Sequence, residues 1–140
     1  MRWLRRLVRG ILFRRHRIVH QRTELAVQRP TLDAQRRGIR LLTQHLTPDQ
    51  RAQYKSARYF HVVGGTTGTR YRIRHGLQFN VEIVDTKGRC HTCLCFAPTG
   101  HLVEGDVMLA QKVALELFES EALRVANRAA PQNQNLGLMW

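Results

Sequence analysis

The chain has 140 residues, enough for one folded domain with a buried core and too few for two. Its hydrophobic content of 43% excludes a wholly disordered chain. Its formal net charge of +13 points to an anionic partner: nucleic acid, a nucleoprotein assembly, an acidic membrane surface or an acidic protein face.

That charge is front-loaded. Residues 1–22 hold eight arginines and no acid before Glu24, which leaves +5 for the rest of the chain. No apolar run reaches the ~20 residues a membrane-spanning helix needs, and the N-terminus lacks the apolar centre of a secretory signal. The three cysteines all fall within Cys90–Cys95, so they build no spaced disulfide framework. That usage fits a reducing, cytoplasmic compartment.

Met1–Val19 carries Trp3, Leu4, Leu7, Val8 and Ile11 at helical spacing, with Arg2, Arg5, Arg6 and Arg9 opposite them. Residues 1–22 are therefore expected to form a basic amphipathic arm, suited to phosphates or to docking on a membrane or larger complex. Pro30 breaks the pattern. Within the helical segment 23–58, Thr31 or Asp33 caps a helix to which Leu32, Ile39, Leu42 and Leu46 supply apolar contacts, and Gly38 weakens it by about 1 kcal/mol. Thr47-Pro48-Asp49 starts another helix that ends near Ala57.

From Tyr59 the period changes from helical to two. Tyr59–Val63 and Arg70–Arg74 flank the flexible loop Gly64-Gly65-Thr66-Thr67-Gly68, and Phe79, Val81 and Ile83 alternate with Asn80 and Glu82. Asp85–Gly88 turns the chain into a fourth strand, Cys90–Phe96. Short connections favour an antiparallel meander. A helix capped by Asp106 and running to Phe118 should lie on the sheet through Val107, Ala110, Ala114, Leu117 and Phe118. Residues 59–126 are thus expected to form a ββββα core, and 127–140 a tail.

Strand alternation puts Arg70, Arg72, Arg74, His91, Cys93 and Cys95 on the face opposite Tyr71, Ile73, Val81, Ile83, Leu94 and Phe96. Arginines at every second position are expensive in a core, so that face must meet water, phosphate or acids. Cys90, Cys93, Cys95 and His101 are ligand types that zinc accepts, but their spacing is not a common zinc pattern and no cofactor is expected. Against a shared site, Cys90 and Cys93 lie an odd number apart and should point to opposite faces. No Gly-rich phosphate loop precedes a helix, and His61, His91 and Cys95 do not establish a nucleophile–base pair, so catalysis is not expected.

The strands followed by a helix, with Cys93-Leu94-Cys95 on the last strand, resemble the SWIM zinc-binding module over about residues 71–118. Leu102-Val103-Glu104-Gly105-Asp106 stands where that module has its second ligand pair, so the resemblance implies a ββα shape and nucleic-acid or protein binding rather than a ligand set. Tyr71-Arg72-Ile73-Arg74, Leu94-Cys95-Phe96 and Gly105-Asp106-Val107-Met108-Leu109-Ala110-Gln111-Lys112 are also similar to small bacterial proteins without an assigned activity.

The expectation is an α+β domain with N-terminal basic helices, a four-stranded antiparallel meander and a C-terminal helix packed on the sheet. Its function would be non-catalytic binding of nucleic acid or a nucleoprotein assembly through Arg2, Arg5, Arg6, Arg9, Arg14, Arg15, Arg70, Arg72 and Arg74. The alternatives are a structural adaptor that docks by its N-terminal helix, and a zinc-stabilised binding module.

Overall fold

Thr31 is extended, and its hydroxyl accepts a hydrogen bond from the Ala34 amide, so Thr31 rather than Asp33 caps the first helix, α1 (Leu32–His45). The structure, a computed structural model, describes residues 30–100 and 102–131. The expected arm, with Arg2, Arg5, Arg6, Arg9, Arg14 and Arg15, lies outside the described residues, as do His101 and 132–140.

Leu46 leaves the helical conformation and Thr47 starts α2 (Pro48–Ala57) with a complete capping box. Gln50 N donates to Thr47 Oγ1 at 3.2 Å, and Thr47 N donates to Gln50 Oε1 at 3.1 Å. Arg58 ends α2 in the left-handed conformation (φ 59°), and its amide returns to the Tyr54 carbonyl.

Five antiparallel strands follow in spatial order: β1 (Tyr59–Val63), β2 (Arg70–Arg74), β3 (Val81–Val84), β4 (Cys90–Cys95) and β5 (Asn127–Ala129). The first four are the expected meander. The fifth corrects the expected strand count: three residues assigned to the tail pair with Cys93–Cys95 instead. They reach that edge after α3 (Glu104–Leu117) and α4 (Glu119–Val125).

The helices share one side of the sheet. Leu42, Leu46 and Tyr54 from α1, its C-cap and α2, with Met108, Leu115 and Ala122 from α3 and α4, join one core with Phe60, Val62, Tyr71, Ile73, Val81 and Leu94. Period-two geometry therefore holds on this face, including the inward Leu94 and Phe96.

Two details of α3 depart from expectation. Val103, not Asp106, is its N-cap, because the helix begins at Glu104 and leaves Asp106 inside the first turn. Leu117 is 63% exposed; the inward stripe runs through Met108, Gln111 and Leu115. A polar residue at the middle of that stripe disguises it. Gln111 faces inward because its amide exchanges hydrogen bonds with Asn80 (2.8 and 2.9 Å) and also donates to the Phe96 carbonyl (2.9 Å).

The crossing of α1 and α3 explains Gly38. A Cβ on Gly105 would lie 2.2 Å from the Gly38 carbonyl carbon, and a Cβ on Gly38 would lie 2.4 Å from Val103 Cγ2. What Gly38 costs in helix propensity is offset by backbone-to-backbone packing that no larger residue permits.

Candidate functional site

The sheet face turned away from the helices holds the groups singled out by sequence. Cross-strand pairing sets His61 beside Arg72, Arg72 beside Glu82 and Glu82 beside Cys93. Tyr59, Arg70, Arg74 and Cys95 extend the same face by strand alternation.

The three strand arginines are on this face, but they are not equivalent. Arg72 Nε donates to Glu82 Oε2 at 2.5 Å, and its Nη1 donates to the Gly88 carbonyl at 3.1 Å. Arg74 Nε donates to the other oxygen, Oε1, at 2.8 Å. Side-chain exposure separates them further: 13% for Arg72 and 33% for Arg74, while Arg70 is exposed. Of the three arginines expected to contact phosphate, Arg72 is instead committed internally, to Glu82 and the Gly88 carbonyl. Glu82, at the paired position one strand over, offsets one of the positive charges and holds Arg72 as an internal strut.

Both guanidinium groups also lie near the Tyr59 ring, at 5.3 Å for Arg72 and 5.8 Å for Arg74. Tyr59 meets His61 edge to face at 5.4 Å. Burial, then the charges of Arg72 and Arg70, push the His61 imidazole below its ordinary value, so it is neutral at pH 7. Tyr59 and His61 thus add ring surface to a basic face. Alternation along β1 was the available signal for both residues, since it sets Phe60 and Val62 inward.

The outer edge of β1 is capped at His61. His61 N donates to Gln53 Oε1, and Gln50 Nε2 donates to the His61 carbonyl, both at 2.8 Å. Two α2 side chains satisfy the backbone groups that an added strand would use at this position.

At the other end, the cysteines are closer than strand parity allows. Ile83 pairs with Thr92 but Val84 pairs with Cys90, so β4 carries an extra residue, His91, in a β-bulge. The bulge turns Cys90 toward the Cys93 side and brings their sulfurs to 3.7 Å. This overturns the expectation that an odd separation sends them to opposite faces. The carboxylate of Glu82 joins them: one ligand atom from each of Glu82, Cys90 and Cys93 lies within 4.8 Å of the other two. Of the four sequence candidates for metal, Cys90 and Cys93 come together. Cys95 is half-buried on the same face outside that trio, and the missed member, Glu82, comes from the neighbouring strand.

Burial, the hydrogen bond to Cys93 and its charge push the Cys90 thiol up to about 11, a value unsuited to a reactive thiolate at neutral pH. Asp85 shapes the turn before the bulge, where the Arg89 amide and side chain, with the Lys87 amide, hold its carboxyl down at about 2.

The Gly64–Gly68 loop, expected to be flexible, is clasped. Glu119 is buried, and its carboxylate accepts from the Thr66 and Thr67 amides (2.8 Å each), the Thr67 hydroxyl (2.5 Å) and the Tyr71 hydroxyl (2.6 Å). Gly65 N also donates to the Leu115 carbonyl near the end of α3. Four of these donors serve one carboxylate and the fifth a helix carbonyl, an arrangement that anchors the loop.

A separate groove of about 360 Å³ is lined by Leu32, Ile39, Arg36, Arg58, His75 and Glu104, among others, and includes none of the candidate binding or metal residues. Among the described residues, no helix is long and apolar enough to cross a membrane. Comparison with known proteins gives no matching family model, no matching curated protein and no matching solved structure.

Proposed function

We propose that this protein binds single-stranded nucleic acid, alone or within a nucleoprotein assembly, on the helix-free face of its sheet and without catalysis. The observation that carries this reading is the grouping of Arg70 and Arg74 with Tyr59 and His61 on that face. Arg70 and Arg74 would contact phosphates. Tyr59 and the guanidinium planes beside it would offer stacking surfaces to unpaired bases. Glu82 would fix guanidinium orientation, lowering the entropy lost when a strand docks. Arg2, Arg5, Arg6, Arg9, Arg14 and Arg15 would supply a second, less directed electrostatic contact.

The test is a salt titration of binding to a single-stranded RNA oligonucleotide. Loss of two phosphate contacts should reduce the slope of log affinity against log salt by about 1.4. R70A/R74A should show that reduction, and deletion of residues 1–22 should lower affinity while leaving the R70A/R74A difference intact. A slope unchanged in R70A/R74A overturns the assignment to this face.

A further inference from the structure

We propose that Cys90, Cys93 and Glu82 form a binding site for a thiophilic divalent cation of the zinc class. The site is independent of the nucleic-acid reading and occupies the β3–β4 end of the same face.

Geometry is the first argument. Two thiolates on a tetrahedral zinc, each about 2.3 Å from the metal, stand roughly 3.8 Å apart. Cys90 and Cys93 have their sulfurs at 3.7 Å before any ion enters. A carboxylate oxygen of Glu82 lies within 4.8 Å of both sulfurs, so side-chain rotation without backbone movement is what closing around an ion would ask of it.

The bulge is the second argument. In a regular strand Cys90 and Cys93 face apart; one inserted residue, His91, puts both on the Glu82 side. Bulges recur where a strand must re-aim a side chain, and this one assembles the trio. Glu82 and Cys93 are both buried and lie outside the helix-facing core, so the group is sheltered without being part of that packing.

Charge and ligand capacity are the third. The two Nε bonds from Arg72 and Arg74 occupy one acceptor position on each Glu82 oxygen, which leaves further lone pairs for a metal. Two thiolates and one carboxylate around a divalent ion leave a net charge of about −1. The guanidinium groups on Glu82 would offset that charge and orient the carboxylate, as supporting partners of metal ligands do. Two sulfurs favour zinc over magnesium or calcium. The fourth position is left to water.

Cobalt reports sulfur ligation directly, so reduced full-length protein is titrated with Co²⁺ and then with Zn²⁺. Expected is a sulfur-to-cobalt charge-transfer band that saturates at one ion per chain and disappears as zinc displaces cobalt. C90S and C93S should each abolish the band, E82Q should weaken binding at least about tenfold, and C95S should retain the band. Absence of the band in reduced wild-type protein overturns the site, and that result stands even if a variant fails to fold. Persistence of the band in folded C90S/C93S also overturns it.

Discussion

Glu119 is a buried carboxylate whose charge is stabilised by two amides and two hydroxyls. Burial pushes this carboxyl up, but the bonds from Thr67, Tyr71 and the Thr67 and Thr66 amides outweigh it, and the net value falls below the ordinary 4.5. The sign follows from that lowering. Its contribution is present above about pH 4.5 and is lost as pH falls through the lower folded-state value. Glu119→Gln keeps the shape but offers one acceptor oxygen in place of two and turns an NH₂ group toward donors. It should lower unfolding stability by about 2–4 kcal/mol and remove much of the acid sensitivity in this range, as read by urea denaturation at pH 7 and pH 4. Tyr71→Phe should cost less, about 1–2 kcal/mol, because three donors keep their acceptor. Sequence shows none of this: Glu119 lies about fifty residues from the loop it holds, and the loop alone reads as a flexible turn.

At the scale of elements, α1 and α3 meet backbone to backbone at Gly38 and Gly105. Gly105→Ala should cost about 2–4 kcal/mol, because its Cβ would meet the Gly38 carbonyl carbon at 2.2 Å and force two helices apart. Gly88→Ala is the contrast. Nothing lies within 4 Å of its Cβ, and only its left-handed backbone (φ 75°) opposes a side chain, so about 1 kcal/mol is expected. Thermal or chemical denaturation of the two variants checks the ranking. The first four strands and the N-cap of α2 were legible because alternation and the Thr47-Pro48 signal are local, whereas the cap of α1 was narrowed only to Thr31 or Asp33. The bulge was not. Its extra residue is defined by the pairing of β4 with β3, and alternation along β4 alone predicts the wrong side for Cys90. β5 was missed because three residues after α4 carry too little pattern to separate from a tail.

For the molecule as a whole, sequence correctly divided the sheet into an apolar helix-covered side and a basic side. It overstated the free charge there, because Glu82 appeared only as the outward neighbour of Val81 and not as the cross-strand partner of Arg72. The resulting face has a graded basic end around Arg70, Arg74 and Tyr59 and a sulfur-rich end around Cys90 and Cys93. The most direct check of the basic end is amide and side-chain NMR on the full chain during titration with a single-stranded RNA oligonucleotide. The account predicts shifts centred on Tyr59, His61, Arg70 and Arg74, growing as salt is lowered, while the helix-side core signals of Met108 and Leu115 stay fixed. Saturable binding whose shifts lie on the helices and spare these four residues would contradict it.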